Sequence, residues 1–134
     1  MPIRIGSVAR ARMAAGDIQG ALALFDEAID EVPITGESWY EPELRRLKAE
    51  ALVAHSPTRW GEAEECLETA VAVAHQQDAR LWQLRAATTL AELWARQNRP
   101  RQARNLLAPI YSWFTEGLNG PDMRRAARVL AILP

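Results

Sequence analysis

The sequence is poor in the residues that staple, ligate or span. Its single cysteine, Cys66, excludes an intrachain disulfide. Two histidines, His55 and His75, fall short with that cysteine of the four organised ligands a structural zinc site needs. Neither Cys-x-x-Cys nor His-Glu-x-x-His occurs, so both histidines are expected on helix surfaces and no metal or cofactor is expected. No Gly-x-x-x-x-Gly-Lys-Ser/Thr loop is present to cradle phosphates. No apolar run approaches the ~20 residues needed to cross a bilayer. The opening Met-Pro-Ile-Arg-Ile-Gly lacks the apolar stretch of a signal peptide. A net charge of −1 and a pI of about 6.1 leave no global electrostatic case for nucleic acid or a membrane surface. These absences lead to the expectation of a soluble, cytoplasmic, non-enzymatic protein.

What is present is repetition. The 134 residues, 49% of them hydrophobic, suffice for one domain with a sizeable core. Ala21, Phe25, Ala28 recurs as Ala63, Leu67, Ala70 and again as Ala103, Leu107, Ile110. In each case a small residue is followed four later by a large apolar one and then three later by another. Those offsets place all three on one helix face. The leading alanines stand 42 and then 40 residues apart. A recurring unit of that length, made of two helices, marks a helical-repeat array, an architecture suited to binding other proteins.

The pattern predicts an all-α fold of three antiparallel helix pairs plus a capping helix, with repeats at about 3–33, 40–77 and 79–116 and the cap at 121–133. Helix one should run from Ile3 to Ala15, with Ile5, Val8, Ala9 and Arg12 inward. Gly16 ends it and Asp17 caps the next. Helix two, from Ile18, should stop at Val32 before Pro33, with Ile34 to Ser38 as a loop. Helix three should open near Tyr40 to Pro42 and carry Leu44, Leu47, Ala51 and Ala54. Thr58 is the expected cap of helix four, which reaches Gln77. Helix five should span Ala79 to Gln97. Helix six should start at Pro100, bend at Pro109 and keep Trp113 and Phe114 on its packing stripe. Helix seven should turn Met123, Ala126, Ala127 and Leu130 inward, as a cap must.

Gly16, Ala21, Phe25, Ala28 and Pro33, with Ala9 before them, resemble the tetratricopeptide repeat. Leu90, Ala91, Trp94 and Ala103 resemble it again. The middle unit departs, with Glu50 where the family has leucine and His75 where it has proline. A second resemblance covers Trp39 to Leu133, about 70% of the chain. Its strings are Glu41-Pro42-Glu43-Leu44-Arg45-Arg46-Leu47-Lys48, Leu84-Arg85-Ala86-Ala87-Thr88-Thr89-Leu90-Ala91, and the run from Ala103 to Gly117 containing Leu-Ala-Pro-Ile-Tyr-Ser-Trp-Phe-Thr-Glu-Gly. Together they are similar to the C-terminal repeat region of large bacterial regulators. Those regulators join an adenylate or guanylate cyclase, or a DNA-binding domain, to a predicted P-loop ATPase. The phosphate loop and the cyclase region are missing here, so the resemblance implies only a partner-sensing or regulatory part, either a fragment or a stand-alone descendant.

In tetratricopeptide arrays the first helix of each pair lines a concave groove. That resemblance points to Arg10 and Met13 of helix one, Arg45, Lys48 and Leu52 of helix three, and Arg85, Thr88 and Glu92 of helix five. The set leans basic, so a protein or acidic peptide is the expected partner. Cys66 should be a packing residue, and Glu62, Glu64, Glu65 and Glu68 a solvated face. Trp94 and Trp113 fall on core stripes, whereas Trp39, Trp60 and Trp82 sit near helix starts, where exposed aromatics could anchor a partner. Charge is segregated: residues 1–78 carry 7 basic and 14 acidic side chains, and residues 79–134 carry 9 and 3. The apolar Ile3, Ile5 and Val8 of helix one suggest weak homodimerisation through helices one and two.

Overall fold

A computed structural model describes residues 2–36 and 38–134. Among them are seven α-helices and no strand: α1 (Pro2–Ala14), α2 (Ile18–Thr35), α3 (Glu41–His55), α4 (Trp60–Gln76), α5 (Arg80–Arg96), α6 (Pro100–Ser112) and α7 (Pro121–Ile132). Short 3-10 turns at Ser38–Tyr40 and Pro57–Arg59 lead into α3 and α4.

Successive helices pack against each other throughout, giving antiparallel pairs α1/α2, α3/α4 and α5/α6, with α7 closing over α5 and α6. Each odd-numbered helix also touches the next odd-numbered one, whereas α2, α4 and α6 make no comparable contacts among themselves. The stack is therefore tighter along the odd helices, which form its inner, concave side. The repeated small–large spacing supplies the core. Ala21, Phe25, Ala28, Ala63, Leu67, Ala70, Ala103 and Leu107 are all fully buried. Each large apolar side chain so buried contributes roughly 1.5–3 kcal/mol, and the alanines let neighbouring helices approach. Gly6 lets α1 pass close to α3 and to the turn before it. A methyl group there would lie 2.9 Å from the Leu44 side chain and 3.3 Å from Tyr40.

One turn is used three times. Gly16, Asp78 and Asn98 adopt left-handed backbone (φ 89°, 57° and 61°). After each, an amide reaches back five residues at 2.8 Å: Asp17 to the Arg12 carbonyl, Ala79 to Ala74, and Arg99 to Trp94. This is the Schellman closure of a helix end, tolerated by Asp and Asn as well as glycine. At the first turn the Asp17 carboxylate accepts from the Gly20 amide at 3.0 Å, the expected N-cap.

Several expectations are corrected. α2 runs through Pro33 to Thr35, because a proline so near the end removes a single helical hydrogen bond. The stop is Gly36, with φ 76°. Ile34 and Thr35 thus belong to the helix, and Glu37 lies outside the described residues. Ser56, not Thr58, caps the turn before α4, its hydroxyl accepting from the Thr58 amide at 3.2 Å. α6 stops at Ser112, so Trp113 leaves the helical stripe and is 55% exposed, under the guanidinium of Arg80 at 4.5 Å. Val8 and Arg12 of α1 are exposed, while Ala9 is buried. On α7 the buried residues are Met123, Ala126 and Val129, with Ala127 and Leu130 only partly covered.

Candidate protein-binding groove

The concave side carries a groove of about 540 Å³ bounded by Met13 of α1, Glu50, Val53 and Ala54 of α3, Thr89, Glu92 and Arg96 of α5, and Arg125 of α7. It continues into a second cavity of about 650 Å³ between α5 and α7 that shares Glu92, Arg96 and Arg125. Residues at i, i+3, i+4 and i+7 share a helix face. Hence α3 presents Glu43, Arg46, Glu50 and Val53 to this side, and α5 presents Arg85, Thr89, Glu92 and Arg96.

Much of the charge on that surface is already matched. Glu43 is almost fully buried and accepts from Arg46 Nε at 2.6 Å and from Arg85 Nη1 at 2.7 Å. Arg46 also reaches Glu50 at 3.2 Å. Arg85 turns its other edge to α7, donating to the two carboxylate oxygens of Asp122 at 3.2 and 2.9 Å. A chain of alternating charge, Glu50–Arg46–Glu43–Arg85–Asp122, therefore stitches α3, α5 and α7 together. Asp122, and then Glu43, hold the Arg85 guanidinium more firmly protonated than usual. A second link across α5 and α7 joins Arg125 to Glu92 at 2.9 Å. Tyr40 lies at the α1/α3 boundary, its phenol pushed above its ordinary range by burial and by the charge of Glu43, with Arg10 pulling the other way.

The structure separates the residues expected to line the groove. Met13 and Glu92 line it, and Arg85 stands on its charged spine. Arg10 is exposed on α1. Leu52 and Thr88 are corrected: they are core residues, 0% and 1% exposed, the Thr88 hydroxyl donating to the Leu84 carbonyl at 2.8 Å. Arg45 and Lys48 turn toward the other side of α3. Lys48 pairs with Asp26 of α2 at 2.6 Å and Arg45 with Glu41 at 2.8 Å, and the Cys66 thiol on α4 lies within the field of both cations. Neighbouring positions on a helix differ by about 100°, so on α5 the groove residue is the adjacent Thr89, and on α3 the adjacent Arg46 is the one turned to the buried Glu43 and to Glu50 at the groove edge. Sequence reasoning missed Arg46, Glu50, Arg96, Arg125 and Arg128. The i+3/i+4 spacing from Glu43 and from Arg85 was the available signal.

Away from the groove, Trp94 is buried, donating from its indole nitrogen to Glu64 at 2.8 Å while Arg99 also reaches that carboxylate. Trp39 is 52% exposed and packs edge-on against Tyr40 and at a tilt against Trp82. Trp60 and Trp82 are half-buried. Burial raises the thiol pKa of Cys66 above its ordinary value. No group of three or more His, Cys, Asp or Glu among the described residues is arranged to hold a metal ion. No described helix is long and apolar enough to cross a membrane.

Paired helices around an open inner face define a helical-repeat scaffold. A family model described as tetratricopeptide repeat matches residues 12–88, more than half of the chain. The chain belongs to the tetratricopeptide repeat family, whose members generally mediate protein–protein interaction and whose all-helical fold is typically non-catalytic. No curated protein and no solved structure matches the chain.

Proposed function

We propose that the protein is a non-enzymatic interaction module of a bacterial signalling or regulatory system and binds a protein or peptide in the concave groove. The observation that carries this reading is the opening from Met13 to Arg125, lined by residues of α1, α3, α4, α5 and α7 and braced by ion pairs across α3, α5 and α7. A surface held rigid before binding loses less entropy on complex formation. The test places a photo-crosslinking amino acid at Thr89 inside the groove or at Glu65 on the exposed side of α4. Partner adducts should form from position 89 in the native host and not from position 65. Adducts from 65 alone would remove the groove.

A second reading is favoured by the run from Ala103 to Gly117. It makes the chain a regulatory C-terminal part of a larger ATPase- or cyclase-type signalling enzyme, acting on that enzyme in cis. An upstream reading frame that continues into a P-loop region would support it, and a stop codon immediately upstream would oppose it.

A further inference from the structure

We infer that the α5–α7 end of the groove is the anion-selective part of the site, taking a peptide segment of another protein that carries carboxylates beside one bulky apolar side chain. The inference rests on the groove reading and adds the chemistry of the occupant and the residues that choose it.

Internal pairing decides which charges remain for a ligand. The carboxylates of Glu43, Glu50 and Asp122 are engaged by Arg46 and Arg85, and Glu92 is engaged by Arg125. Arg96 and Arg128 line the α5–α7 cavity, are both exposed, and have no carboxylate partner among the described residues. The cavity therefore holds two uncompensated positive charges. Arg96 is also pre-positioned, its guanidinium 4.6 Å from the centre of the Trp60 ring, an arrangement that restrains its orientation without consuming its charge. Between the arginines the surface is apolar: Ala95 is half-buried, Val129 forms the floor, and Ile132 is 75% exposed. Cations around an apolar floor match a carboxylate-bearing segment with an apolar anchor. A polyanion such as RNA fits poorly, because the outer helices present Glu27, Asp30, Glu62, Glu65 and Glu68 to solvent and would repel it.

The test is a selection of random 12-residue peptides on the intact protein, repeated on Arg96→Gln/Arg128→Gln and on Arg101→Gln, an exposed arginine of α6 outside the groove. The expected peptides are enriched in Asp and Glu around a large apolar residue. They should bind the double variant about 10-fold or more weakly and the Arg101 variant unchanged, and added salt should weaken them. Circular dichroism should show all variants folded. Peptides that crosslink to position 89 yet lack acidic enrichment would overturn this inference while leaving the groove reading intact. Acidic peptides that bind the double variant as well as wild type would also overturn it. Recovery of no peptide would count against both. Binding of a 12-nucleotide RNA that depends on Arg96 and Arg128, without acidic peptides, would transfer the site to nucleic acid.

Discussion

Two single residues carry consequences out of proportion to their size. Cys66 is buried, and burial raises its thiol pKa, so little thiolate forms near neutral pH. In native buffer it should react with a disulfide reagent orders of magnitude more slowly than in denaturant, measured by thionitrobenzoate release. Equal rates would show that α4 opens readily. Gly6 works through space instead of chemistry. A methyl group at this position would press on the fully buried Leu44, so Gly6→Val is expected to cost about 1–3 kcal/mol in a urea melt. Unchanged stability would mean that α1 is free to shift away from α3.

Between helices, the pairing of charges outweighs their number. Glu43 is 6% exposed and serves two arginines on two helices, whereas Glu41 and Arg45, 18% and 27% exposed, form a pair within one turn of α3. Removing the shared partner leaves Arg46 and Arg85 without their common carboxylate. Glu43→Ala should therefore cost about 3 kcal/mol, and Arg45→Ala under about 1 kcal/mol. Denaturant unfolding of the two variants decides this, and equal losses would deny the ion chain a structural role. The same helix shows what the sequence displayed and what it hid. The helices, the Asp17 cap and the core triplets were legible because local rules produce them: apolar period, cap chemistry and turn residues. The groove face of α3 was not. Arg45 and Arg46 are adjacent and chemically identical, and only packing against α2 on one side and α5 on the other decides which one turns inward. Pro33 and Trp113 were misread for a related reason, since a helix end depends on the residues beyond it as well as those within.

At the scale of the whole molecule, apolar surface is left uncovered at the first helix pair. Apolar residues remain exposed on α1, where Val8 is 47% accessible and Ile3 and Ile5 are partly so. We propose that this face supports weak self-association through α1 and α2. Ile5→Asp should then shift the species toward monomer in analytical ultracentrifugation. A wild-type chain that sediments as a monomer at high micromolar concentration would sink the proposal.

The charged spine also gives the stack a mechanical character. Arg85 grips α3 with one edge and α7 with the other, and both grips lie on the inner side of the curve. Opening such a curve lengthens its inner side first, so these contacts act as a tether against unbending, much as a tendon limits a joint. Electrolyte screens the Arg85–Asp122 pair, whose side chains are 29% and 23% exposed, more than it screens the buried Glu43 or the apolar contacts of the outer helices. The solenoid should accordingly become more pliable, not less helical, as ionic strength rises. Small-angle scattering would read this as a larger radius of gyration at constant circular dichroism. A ligand that braces the same inner side would stiffen the spring.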